Sequence, residues 1–113
     1  MNDVYKIYSN GVGIAFKWQK DAFLTQLIFR DTGFHLSIDE IELFIEQVQV
    51  SKINVPCLDC KLGTNCRSIL LRTPSSRVSL AVSFKELNQI EDLLNGTLFQ
   101  LELNEYLQEI CKN

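Results

Sequence analysis

The sequence predicts an α+β fold: an antiparallel sheet of about six strands, four before the first of three helices and two after it, with the helices on one face. Three observations lead there. Apolar residues alternate at period two around Asn10-Gly11, the pattern of a hairpin. The Ser-x-x-Glu signature of a helix start occurs at Ser37/Glu40 and again at Ser83/Glu86, each time ahead of an apolar stripe at helical spacing. Residues 27–48 and 69–94 then share one plan, strand, turn, strand, cap, amphipathic helix, joined by a cysteine-containing loop at 51–67. A single domain over residues 1–113 with an internal repeat is the expectation, by duplication or by the same physics solved twice.

In order along the chain, Val4–Tyr8 and the alternating Val12, Ile14, Phe16, Trp18 form the first hairpin. A polar turn at 19–22 leads to a third strand with Phe23, Thr25, Leu27 and Phe29 on one face and Leu24, Gln26, Ile28 and Arg30 on the other. Asp31-Thr32-Gly33 turns the chain into a short fourth strand, Phe34-His35-Leu36, whose histidine points away from the core side. The first helix starts at Ser37, carries Ile41, Phe44, Ile45 and Val48 inward, and ends near Val50 before an extended Ile53–Pro56. Beyond the cysteine loop, Arg67–Thr73 and Val78–Val82 pair about Pro74-Ser75-Ser76. The second helix begins at Ser83 with Leu87, Ile90 and Leu94 as its stripe. Asn95-Gly96 reads as its left-handed C-cap and Thr97/Gln100 as a third capping box. The last helix then buries Phe99, Leu103, Tyr106, Leu107 and Ile110, while Leu98 and Leu101 point to a second contact, inside the monomer or across a homodimer seam.

Composition bounds the function classes. Among 113 residues 46% are hydrophobic, with two Pro and five Gly, which is globular composition without low complexity. The start Met1–Lys6 lacks the basic and apolar blocks of a signal peptide, so a cytoplasmic location is expected, where four Cys stay reduced or metal-bound. No apolar run approaches a membrane span. A net charge of −3 argues against general nucleic-acid binding. Lys61, Arg67, Arg72 and Arg77 nevertheless gather in one stretch, a solvated loop and hairpin or a contact for an anion or acidic partner.

The runs Gln26-Leu27-Ile28-Phe29-Arg30-Asp31-Thr32-Gly33-Phe34-His35-Leu36-Ser37 and Asn95-Gly96-Thr97-Leu98-Phe99-Gln100-Leu101-Glu102-Leu103-Asn104 resemble a family of small bacterial proteins with no assigned function. That resemblance implies one small domain and no activity. Members often carry a further cysteine pair near the turn that here reads Trp18-Gln19-Lys20-Asp21-Ala22, and this sequence lacks it.

Chemistry concentrates in Cys57-x-x-Cys60 and Cys66. Three thiolates supply three of the four ligands of a tetrahedral zinc, leaving Cys111, His35, Asp59 or water for the fourth. The same residues also read as free, partly buried thiols, Cys being a small hydrophobe. Redox chemistry has Lys61 and Arg67 to favour a thiolate, but the pair follows Pro56 and does not open a helix after a strand. Phosphate loops, nucleophile elbows and His-Glu-x-x-His are absent, so no catalytic residue and no cofactor other than zinc is assigned. Two function classes follow: a non-enzymatic interaction or regulatory module, monomeric or homodimeric, with the basic cysteine loop in contact, or a structural zinc or thiol-redox protein using Cys57, Cys60 and Cys66.

Overall fold

Period-two patterning and two capping boxes lay out the elements much as the sequence implies. The structure, a computed structural model, describes residues 4–19, 23–54 and 67–110. It runs β1 (Tyr5–Asn10), β2 (Gly13–Lys17), β3 (Thr25–Phe29), β4 (Thr32–Leu36), α1 (Ile38–Asn54), β5 (Ile69–Arg72), β6 (Ser79–Val82) and α2 (Phe84–Ile110). The strands pair antiparallel in two sheets, β1-β2-β3-β4 and β5-β6, rather than in the single sheet expected. Among the described residues two helices take the place of three.

The register explains how each strand divides its side chains. Ala15 lies opposite Leu27 and Leu27 opposite Phe34, so these share the face that also carries Thr25, Phe29 and Leu36. On the other face Lys6, Phe16, Gln26 and His35 form one cross-strand row and Ser9, Ile14, Ile28 and Gly33 another. Both helices pack on the first face, where Ile41, Phe44 and Val48 of α1 and Leu87, Ile90, Leu93 and Leu94 of α2 are fully buried. The inner residues of the second hairpin, Leu71, Leu80 and Val82, close the same core. Close approach of α2 to β2 depends on Gly13, where a Cβ would strike the Ile28 carbonyl and press on Leu93.

Beyond the shared core, a side chain rather than a ladder hydrogen-bonds the β3–β4 turn to the hairpin β5–β6. Arg30 and Asp31 form the two-residue loop between the paired Phe29 and Thr32, one residue earlier than the expected Asp31-Thr32-Gly33 turn. Arg30 takes φ 54°, a left-handed conformation that costs a non-glycine residue about 1 kcal/mol. Tertiary contacts offset that strain. The Arg30 amide donates to the Val12 carbonyl (3.0 Å), and its guanidinium lies 4.8 Å from the Phe29 ring centroid. Its Nη2 donates to the Ala81 carbonyl of β6 at 2.9 Å.

Both Ser-x-x-Glu boxes form. The Ser37 amide donates to Glu40 Oε1 at 2.9 Å while the Glu40 amide donates back to Ser37 Oγ at 3.3 Å. The corresponding distances at Ser83 and Glu86 are 3.0 and 3.1 Å. Helix α1 continues to Asn54, past its expected end at Val50 and through the first half of the expected extended run.

The third capping box does not form, and α2 runs unbroken through Asn95-Gly96 for 27 residues. Leu93, Leu94, Thr97 and Leu101 on either side of the glycine are all buried, so interrupting the helix would expose core. That outweighs the roughly 1 kcal/mol by which Gly disfavours a helix interior. Gly96 serves a packing role: the Tyr8 ring of β1 lies so close that a Cβ at 96 would overlap it. Thr97, buried within the helix, donates its hydroxyl to the Leu93 carbonyl at 2.6 Å.

Candidate functional site

Three surfaces and clusters bear on function, and the first is built around one carboxylate. Glu86 sits in the first turn of α2, where its capping role brings it against the Ser83 amide. The same carboxylate accepts from Arg67 Nε at 3.0 and 3.1 Å and from Nη2 at 2.8 Å, a fork geometry suited to a planar guanidinium. Arg30 Nη1 stands 3.6 Å away. Hydrogen bonding to Arg67 holds the Glu86 carboxyl below its usual range, aided by the Ser83 amide and the Arg30 charge and opposed by desolvation. Five residues on, Glu91 accepts from Lys52 Nζ at 2.7 Å and from Gln49 Nε2 at 3.0 Å. Lys52 lies in the last turn of α1 and Arg67 is the first described residue after it, so both borders of residues 55–66 grip α2.

Cys57, Cys60, Lys61, Cys66 and Cys111 lie outside the described residues, as does Asp59. His35 is exposed on the outer face of β4, in register with Gln26. Arg67 is engaged by Glu86, whereas Arg72 is exposed on the outer side of β5 and Arg77 in the β5–β6 turn. Among the described residues no group of three or more His, Cys, Asp or Glu is arranged to hold a metal.

A second cluster joins the β1–β2 turn to α2. Asp92 accepts from the Tyr8 hydroxyl at 3.0 and 3.1 Å and from Asn10 Nδ2 at 2.9 Å. Asn10 Nδ2 also donates to the Gln89 carbonyl, while Asn10 Oδ1 accepts from the Val12 and Gly13 amides. The hydrogen bond to Asp92 raises the Tyr8 pKa. A shallow groove of about 340 Å³ opens beside it, lined by Asn10, Gly11, Lys85, Asn88, Gln89 and Asp92. Together these hydrogen bonds latch the hairpin to the helix.

The third feature is the second half of α2. Leu87, Ile90, Leu94, Thr97 and Leu101 repeat at alternating spacings of three and four and face the core. Phe99, Leu103 and Tyr106 repeat at the same spacing, displaced by about half a turn. Phe99 is 61% exposed, Tyr106 60% and Leu107 46%, with Leu103 half-buried between them. Leu98 and Leu101 pack on the core, the first of the two contacts expected for them, whereas Phe99, Tyr106 and Leu107 of the stripe expected inside face outward. Ile110 belongs to that stripe by spacing, though its side chain is outside the described set. The alternating spacing from Leu87 to Leu101, continued through Gly96, was the signal in the sequence, and reading Asn95-Gly96 as a cap hid it.

The outer face of the four-stranded sheet is also partly apolar. Phe16 and Trp18 meet edge to face at 5.8 Å, and Trp18 and Ile28 are exposed. Among the described residues no strand carries an Asp or Glu, and apart from Asp31 in a turn the carboxylates all belong to the two helices.

No family model, curated protein or solved structure matches the chain.

Proposed function

We propose that this protein is a non-enzymatic cytoplasmic interaction module, and that the outward stripe of α2 is its contact surface. One observation carries the reading: Phe99, Leu103, Tyr106 and Leu107 form an apolar seam on a helix whose opposite side already fills the core. A surface helix ordinarily turns polar residues to water on that side, and contiguous exposed apolar side chains mark contact sites. The test is a photoreactive residue at position 106 of the full chain in its source cell, with a second at position 70 as control. The reading requires one defined partner crosslinked from 106, not from 70, and lost with Phe99→Glu. Equal, diffuse labelling from both positions overturns it.

The second reading, a structural zinc or thiol site at Cys57, Cys60 and Cys66, is supported by the grip of Lys52 and Arg67 on α2, which holds both borders of the cysteine segment to one helix. It requires one zinc per chain that survives dialysis and is lost with Cys60→Ser.

A further inference from the structure

We infer that the partner of the α2 seam is an amphipathic helix whose apolar face is flanked by Lys and Arg; this rests on the interaction reading above. Geometry sets the form of the partner. Phe99, Leu103 and Tyr106 follow the four-then-three spacing of a helix–helix seam, and from 99 to 107 they cover about 12 Å of helix at 1.5 Å per residue. A facing helix matches this ridge over two turns, side chain between side chains.

Charge sets the chemistry. Between Lys85 and Lys112 the chain has no basic residue, while Glu86, Glu91, Asp92, Glu102, Glu105 and Glu109 all fall there. Glu102 and Glu105 are exposed beside the seam, and among the described residues neither forms an ion pair. Glu86 and Glu91 are engaged by Arg67 and Lys52, and Asp92 is held by the Tyr8 hydroxyl and the Asn10 amide, so the carboxylates of α2 beside the open stripe are the ones left to meet a partner. On the far side of the stripe Gln100 and Asn104 are neutral. A second copy would bring a helix of the same negative sign, and α1 is acidic in its first turns with Asp39, Glu40 and Glu42, so neither offers the opposite charge. A basic-flanked helix buries the seam and pairs Glu102 and Glu105 together, in the way that edge charges select coiled-coil partners.

The experiment uses the full chain and two labelled synthetic helices with an identical Leu/Phe face, one flanked by Lys and Arg and the other by Glu, titrated by fluorescence anisotropy. The basic-flanked peptide should bind roughly tenfold or more tightly, a difference of about 1.4 kcal/mol, and that preference should shrink as salt rises. Glu102→Lys with Glu105→Lys should reverse the preference. Phe99→Glu with Tyr106→Glu, folded by circular dichroism, should abolish binding although it makes the protein more negative, which separates docking on the seam from attraction to net charge. Equal binding of the two peptides, or unchanged binding by the Phe99→Glu/Tyr106→Glu variant, overturns the inference. Crosslinking at 106 to a second copy, or to a partner lacking basic flanks, also overturns it while leaving the interaction reading intact.

Discussion

Tyr8 and Gly96 show how one pair of residues ties the sheet to the long helix. The ring rests on the helix backbone because position 96 has no Cβ, and its hydroxyl is tethered to Asp92, so the ring cannot swing away without losing that bond. Helix propensity alone would make Gly96→Ala stabilising by about 1 kcal/mol. We predict that it lowers the denaturant midpoint in the wild-type background and raises it in a Tyr8→Ala background, a reversal that a double-mutant cycle measures. Glu86 is the other such residue. Its carboxyl is lowered by Arg67 in the folded chain relative to an ordinary value of 4.5, so its charge stabilises fully above that pH and the contribution is lost as pH falls through the lower folded value. Glu86→Gln keeps the cap but not the charge. The variant should therefore unfold at lower denaturant than wild type at pH 7, with the gap closing below pH about 4.5.

Among the elements, α1 and the start of α2 were legible because a capping box is local chemistry: two residues three apart satisfy each other's amides whatever surrounds them. Ser37→Ala and Ser83→Ala should each cost about 1 kcal/mol in chemical denaturation, whereas Gln100→Ala should change stability by less than about 0.5 kcal/mol, because Thr97 and Gln100 lie inside a continuous helix. The same signature at Thr97 misleads because tertiary burial of Leu93, Leu94 and Leu101 decides there. Strand faces were also legible, since Thr25, Leu27 and Phe29 alternate with Gln26 and Ile28 as period two demands. The β3–β4 turn was not. A left-handed arginine has no sequence signature, and the Val12 and Ala81 carbonyls that hold it are distant in the chain. The α2 seam was visible as an apolar repeat but was assigned to the wrong side for the same reason as the helix break.

In the whole molecule, two β-β-α units share one core while their sheets stay separate, bridged by Arg30 to Ala81 and Glu86. Among the described residues charge follows the elements: the strands carry no Asp or Glu, and the two helices carry every carboxylate but Asp31. Among the described residues no helix is long and apolar enough to cross a membrane, and α2, long as it is, carries six carboxylates. What the fold leaves open is the far side of α2, and the interaction reading depends on which apolar residues of that helix are inside. The direct measurement is equilibrium unfolding of Leu101→Ala beside Phe99→Ala. Leu101 is 8% exposed and Phe99 61%, so the first should lose about 2–4 kcal/mol and the second less than about 0.5 kcal/mol. A large loss at Phe99 with Leu101 tolerated would mean that the stripe expected from the sequence is the buried one, and the seam would not exist.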